Sequence, residues 1–143
     1  MSVDIDELAK RLETRILEDA REVFSETVIE YAYNPRNMGE ISDADGAGKI
    51  TGTCGDTVQI QIRVENGRIS ESRFMTDGCG TSIACGSMLT EMITDKTIEE
   101  ALAITSDDLL RNLGGLPEEN VHCSVLAVDT LRAAIDDYGS CVK

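Results

Sequence analysis

Residues 58–64 read Val58-Gln59-Ile60-Gln61-Ile62-Arg63-Val64, a strict alternation of apolar and polar side chains. A period of two belongs to a pleated strand with one buried and one wetted face, and does not fit a helix. Glu65-Asn66-Gly67-Arg68 follows, and its Asn-Gly pair supplies the positive φ angles of a tight hairpin. The run 58–64 is therefore expected to pair antiparallel with 68–76. A further strand candidate, 49–53, precedes both, so the pattern predicts a three-stranded meander.

The rest of the chain is patterned for helices. Ahead of the sheet, Ile5, Leu8, Leu12, Ile16, Ala20, Val23, Phe24, Val28 and Tyr31 recur at helical spacing, with one stripe expected to pack and the opposite face to be wet. The segment suits one long helix or two, with Ser25 as a cap for a second helix near Thr27 and Asn34-Pro35 as its stop. Residues 34–48 have loop chemistry, and Asp43 and Asp45 lack the glutamate that would complete a calcium loop. After the strands, 82–93 carries Ile83, Met88, Leu89 and Met92 on one side, and short helices are expected at 97–103 and 106–112. The first of these opens on Thr97-Ile98-Glu99-Glu100, a capping box. Gly114-Gly115-Leu116-Pro117 breaks the chain before a last helix at 124–138, with Val125, Leu126, Val128, Leu131, Ala134 and Ile135 facing inward. Strands followed by helices define an α+β fold: a three-stranded antiparallel sheet covered by C-terminal helices, with an N-terminal helical extension.

A length of 143 residues fits one domain, and 41% hydrophobic residues suffice for a core. Acidic side chains number 27 against 13 basic ones, a formal net charge of −14. That balance repels nucleic acid and favours basic partners or cations. No apolar run approaches the roughly 20 residues that span a bilayer. The opening Met1-Ser2-Val3-Asp4 is unlike a secretory leader, so a soluble cytoplasmic protein is expected.

Five cysteines and a single histidine, His122, carry the chemistry. In a reducing compartment such thiols are metal ligands or nucleophiles more often than disulfides. Cys54 falls between the first two strands in Thr53-Cys54-Gly55-Asp56. Cys79 falls between the third strand and a helix, in Gly78-Cys79-Gly80-Thr81, and Cys123 just ahead of the last helix, in Val121-His122-Cys123-Ser124. All three are expected at element ends, and the helix dipole favours thiolate at the latter two. They are too far apart in sequence for a Cys-x-x-Cys knuckle, so the fold has to assemble the site. With Asp56 or His122 as a further donor, the set suits tetrahedral zinc or an iron cluster with one non-thiolate position. Cys85 reads as core packing with a reserve ligand role, and Cys141 as a loose thiol near the chain's end. A thiol hydrolase with Cys123 as nucleophile and His122 as base is disfavoured, because adjacent residues rarely converge on one proton.

From about Phe24 to Tyr138 the chain resembles the IscU/NifU-type iron-sulfur cluster assembly scaffolds. The motifs that carry the resemblance are Asn34-Pro35-Arg36-Asn37-Met38-Gly39, Cys54-Gly55-Asp56, Asp77-Gly78-Cys79-Gly80 and Val121-His122-Cys123-Ser124, in that order. The resemblance implies a scaffold domain over 24–143 after an extension at 1–23. It implies cluster ligands Cys54, Cys79 and Cys123, with Asp56 as the residue of a labile, transferable cluster and His122 as an alternative ligand. The implied activity is non-enzymatic: a 2Fe-2S cluster is built from ferrous iron and sulfur from an IscS/NifS-type cysteine desulfurase, then passed to apo-proteins, with a ferredoxin as electron donor. Cys123 is the expected sulfur acceptor, and zinc is expected on the same donors when iron is absent. A zinc-binding protein without cluster chemistry is the alternative. The fourth ligand is left open between Asp56, His122, Cys85 and a partner residue. The family's Leu-Pro-Pro-Val-Lys run is replaced by Leu116-Pro117-Glu118-Glu119-Asn120, which argues against a dedicated Hsp70 chaperone. The extension is placed to pack on the core, cover the site or form a homo-oligomer. The chain reads as a stand-alone scaffold without the later domains of full-length NifU.

Overall fold

The computed structural model describes residues 4–53 and 55–141. In chain order it contains α1 (Ile5–Val23), α2 (Glu26–Tyr33), β1 (Gly46–Thr51), β2 (Thr57–Glu65), β3 (Arg68–Thr76), α3 (Gly80–Ile93), α4 (Ile98–Leu102), α5 (Ser106–Leu113), a 3-10 turn (Glu118–Asn120) and α6 (Val121–Cys141). The strands form the expected antiparallel meander, β1-β2-β3. Ile60 pairs with Gly48 on one side and Phe74 on the other, and a bulge shifts the register at Arg63/Val64. Asn66 and Gly67 hold positive φ at the hairpin tip.

Period-two alternation places Val58, Ile60 and Ile62 in the core with Ile69 and Phe74. Helices α3 and α6 cover that face, contributing Ala84, Leu89, Ile93, Leu126, Leu131 and Ala134. The sheet begins at Gly46, within the span expected to be loop. Glycine is required there by close approach: a Cβ on Gly46 would lie 2.4 Å from the Ala134 carbonyl, and one on Gly48 2.5 Å from both the Ala134 nitrogen and the Thr130 oxygen. The sparse side chains that make Gly46-Ala47-Gly48 read as loop are what admit α6.

Two helices, not one, precede the sheet. Ser25 caps α2, accepting from Val28 N–H at 3.1 Å, and its hydroxyl donates to the Leu113 carbonyl. The stripe on α1 was expected to pack, but Ile5, Leu8, Leu12 and Val23 are exposed. Helix α1 has α2 as its main neighbour, and local bonds such as Asp6 N–H to Asp4 Oδ1 and the Arg11–Glu7 pair support it. Val125 on α6 is likewise exposed where an inward position was expected.

The loop after α2 fastens α3 to the sheet. Arg36 N–H donates to Ser87 Oγ at 3.2 Å, and Asn37 Nδ2 to Thr90 Oγ1 at 3.2 Å. The Asn37 carbonyl accepts from Phe74 N–H and the Phe74 carbonyl from Gly39 N–H, closing part of the outer edge of β3. The Arg36 guanidinium lies 4.2 Å over the Tyr31 ring and pairs with Glu30 and Glu91. The hydrogen bond from Tyr31 to Glu91 raises the phenol's pKa, with burial adding to it. Gly48→Ala should lower stability by about 3 kcal/mol, the upper end for overpacking, because backbone must retreat to admit the methyl. A urea midpoint equal to wild type would contradict the close approach of β1 and α6.

Candidate functional site

The site lies where the ends of β1, β2 and β3 meet the N-termini of α3 and α6. The Asp77 carboxylate accepts from Thr57 N–H at 2.8 Å, and the Thr76 hydroxyl donates to the Thr57 carbonyl at 2.8 Å while accepting from Gly78 N–H. These bonds clamp the end of β3 to the start of β2, so the chain enters α3 beside Asp56. The β1–β2 loop is closed by Gly52 N–H donating to the Asp56 carbonyl at 2.8 Å. Cys54, read from sequence as a ligand, lies outside the described residues.

Cys79 is the N-cap of α3 and is exposed. Partial burial pushes its pKa up, but the backbone amides of Ser82 and Thr81, together with their hydroxyls, outweigh burial and leave the thiol below its ordinary value. This is helix-terminus stabilisation of a thiolate. Cys123 departs from expectation. Helix α6 starts at Val121, so Cys123 lies within its first turn, not ahead of it, and is buried at 3% exposure among core residues. It is both a packing residue and a site residue. The 3-10 turn at Glu118–Asn120 runs directly into α6, which is why the helix begins earlier than the apolar pattern indicates.

Ser82 joins the other groups. Its Oγ is 3.7 Å from the Cys123 sulfur and 3.5 Å from Asp56 Oδ2. His122 Nε2 is 3.7 Å from the same sulfur. The imidazole is exposed and edges a groove lined by Ile50, Thr51, Thr53, Leu126 and Asp129. Cys79 opens on a different groove of about 320 Å³, between α2 and α3, lined by Phe24, Val28, Ala32 and Tyr33. Asp56, Cys123 and His122 thus form a chain through Ser82, and Cys79 stands at the start of the helix that carries Ser82. Among the described residues no three of the His, Cys and carboxylate side chains are grouped tightly enough to hold one metal ion. Sequence reasoning passed over Ser82. The available signal was its position three residues after an N-cap cysteine, which points it back toward the cap.

Cys85 is fully buried in α3. Burial pushes its thiol far up, and charge on Cys123 and Cys79 adds to the effect, so the structure favours the packing reading. Helix α6 continues to Cys141, beyond the expected end at Tyr138, and the Cys141 side chain is outside the description. No helix among the described residues is long and apolar enough to cross a membrane.

Fold and site together define a small α+β domain that gathers thiols, a carboxylate and an imidazole at one junction of sheet and helices. The chain belongs to the family of the NifU-like N terminal domain, whose model matches residues 23–143. It is 50% identical over 117 residues to "Iron-sulfur cluster assembly scaffold protein IscU 1" of Archaeoglobus fulgidus, covering 81% of this chain and 76% of that protein. It is 43% identical over 122 residues to the IscU scaffold protein of Escherichia coli K12, covering 82% and 94%. In fold it is similar to the N-terminal NifU-like protein of Brucella abortus, with a TM-score of 0.64 at 18% identity over 81% of this chain and 94% of the other.

The lowered pKa of Cys79 fixes a pH dependence. A depressed value keeps the thiolate at lower pH than in an ordinary cysteine, so iodoacetamide should modify Cys79 with a midpoint below that of a free cysteine. Cys85 should stay unmodified until the protein unfolds. Site-resolved mass spectrometry across pH checks both, and a Cys79 midpoint at or above that of free cysteine would refute the effect of the Thr81 and Ser82 groups.

Proposed function

We propose that this protein is a scaffold on which an iron-sulfur cluster is assembled as cargo and from which it is handed to apo-proteins. The observation that carries the proposal is the junction itself: Asp56 from the β1–β2 loop, Cys79 at the N-cap of α3 and Cys123 of α6 lie about Ser82, with His122 of α6 beside Cys123, in a chain 50% identical to a named scaffold over 117 residues. Within this reading the domain proper is residues 24–143, and 1–23 is an extension.

The cargo is a 2Fe-2S cluster held by Cys54, Cys79 and Cys123, with Asp56 as fourth ligand and His122 as its alternative. Thiolates suit iron and sulfide. A single carboxylate or imidazole in place of a fourth thiolate leaves one protonatable, weakly held position through which the cluster can depart. Cys123 accepts sulfur from the persulfide of a cysteine desulfurase: its thiolate attacks the outer sulfur, a new S–S bond forms, and the desulfurase thiolate leaves. Because Cys123 is nearly buried, this step requires the rim to open. Each sulfane sulfur must gain two electrons to become sulfide. Oxidation of the ferrous ions supplies half of them, and a ferredoxin supplies the rest. A net charge of −14 speeds encounters with basic faces of such partners more than it prolongs them. Zinc takes the same donors when iron is absent.

Anaerobic reconstitution with ferrous iron, cysteine, desulfurase and reduced ferredoxin tests the reading. The expected product is a coloured protein with sulfide-to-iron charge-transfer absorption, whereas a colourless zinc-loaded protein would support the zinc-protein alternative. Asp56→Ala should lengthen cluster lifetime and slow transfer to an apo-ferredoxin severalfold. An unchanged transfer rate would remove Asp56 from that role.

A further inference from the structure

Ser82 is 3% exposed, and its hydroxyl faces groups that belong to other elements. Thr90 and Thr130, buried on α3 and α6, donate back to carbonyls of their own helices, Gly86 at 2.8 Å and Leu126 at 2.7 Å. That is the ordinary fate of a buried helical hydroxyl. The Ser82 Oγ instead lies 3.5 Å from Asp56 Oδ2, contributed by the β1–β2 loop, and 3.7 Å from Cys123 Sγ, contributed by α6. The arrangement depends on a missing side chain. A Cβ on Gly78 would come within 2.6 Å of Ser82 Oγ and 2.9 Å of Asp56 Oδ2.

A serine hydroxyl has one proton to donate and lone pairs with which to accept. Three neighbours compete for that proton: the Asp56 carboxylate, which only accepts, the buried Cys123 sulfur, which can do either, and the exposed Cys79 sulfur, which is also served by backbone amides. While the proton goes to Asp56, Ser82 can only accept from the Cys123 thiol. When the carboxylate is drawn away, the hydroxyl can turn and donate to the sulfur. In a buried setting a change in donor direction matters more than it would in water.

We propose that Ser82 is a positioning residue that couples Asp56 to Cys123. Engagement of the Asp56 carboxylate by a cation releases the Ser82 hydroxyl to the Cys123 sulfur, so capture of iron on one side prepares the sulfur on the other. The biological meaning rests on the scaffold reading. The coupling itself is a property of the metal-free protein and is tested without iron, sulfide or desulfurase, so its failure and the failure of reconstitution are separate results.

The experiment is a double-mutant cycle read at Cys123. Metal-free wild type, Asp56→Ala, Ser82→Ala and the double variant are treated with iodoacetamide, and modification of each cysteine is followed by mass spectrometry. Loss of the Asp56 charge and any opening of its loop act in both backgrounds and cancel in the cycle. The acceleration of Cys123 modification by Asp56→Ala should be roughly fivefold larger with Ser82 present than in the Ser82→Ala background, the factor expected of one hydrogen bond. Continued protection of Cys85 in the same digests reports an intact fold. Ser82→Thr keeps the hydroxyl and should retain the difference. Equal acceleration in the Ser82 and Ser82→Ala backgrounds overturns the proposal, as does loss of the difference in a Ser82→Thr protein whose Cys85 stays protected.

Discussion

The backbone of α6 rests directly on the backbone of β1, and much of the molecule follows from that contact. Gly46 and Gly48 leave no Cβ between strand and helix, so α6 is held by main-chain approach as well as by the side chains of Leu126, Leu131 and Ala134. Such a contact has little freedom to slide. It fixes where the first turn of α6 ends up, and Cys123 is in that turn. Helix α3 is fixed by an independent device, the loop after α2, through Arg36 to Ser87 and Asn37 to Thr90. The two thiols therefore reach one junction from helices held to the sheet by different contacts, and Ser82 of α3 beside Cys123 of α6 joins the helices there.

Polarity is graded across the junction. Cys79 is exposed at a helix N-terminus that favours its charged form, whereas Cys85, further along the same helix, is in the apolar interior and kept as thiol. Ser82 and Cys123 stand between these extremes, buried yet facing a carboxylate and an imidazole. Burying polar groups without partners is costly, and these groups partner one another.

Much of the fold was legible because its signals are local. Alternation over 58–64 and the Asn66-Gly67 turn give the meander, and Thr97 and Ser25 announce helix starts that the structure places next to them. What escaped was non-local. Gly46 and Gly48 resemble loop until the helix that needs them is in place, and the stripe on α1 has helical period whether or not anything covers it. At the site, residue type and order pointed to Cys79, Asp56, Cys123 and His122 before any geometry. Depth was not readable: nothing in the order of residues 121–124 says that Cys123 is buried while His122 is exposed. Ser82 was invisible for a similar reason, since a serine in a helix gains a role only from the partners that other elements bring to it.

Both margins of the sheet are engaged by the chain itself. On β1 the Ala47 N–H donates to the Asp137 carboxylate of α6 at 3.0 Å. On the other side β3 is bonded near one end to Asn37 and Gly39 and near the other to Asp95 and Lys96. An incoming strand therefore meets β3 with amides and carbonyls near both of its ends already bonded, and β1 with the Ala47 amide taken. The same bonds shield parts of both edges from pairing with the edge of another molecule.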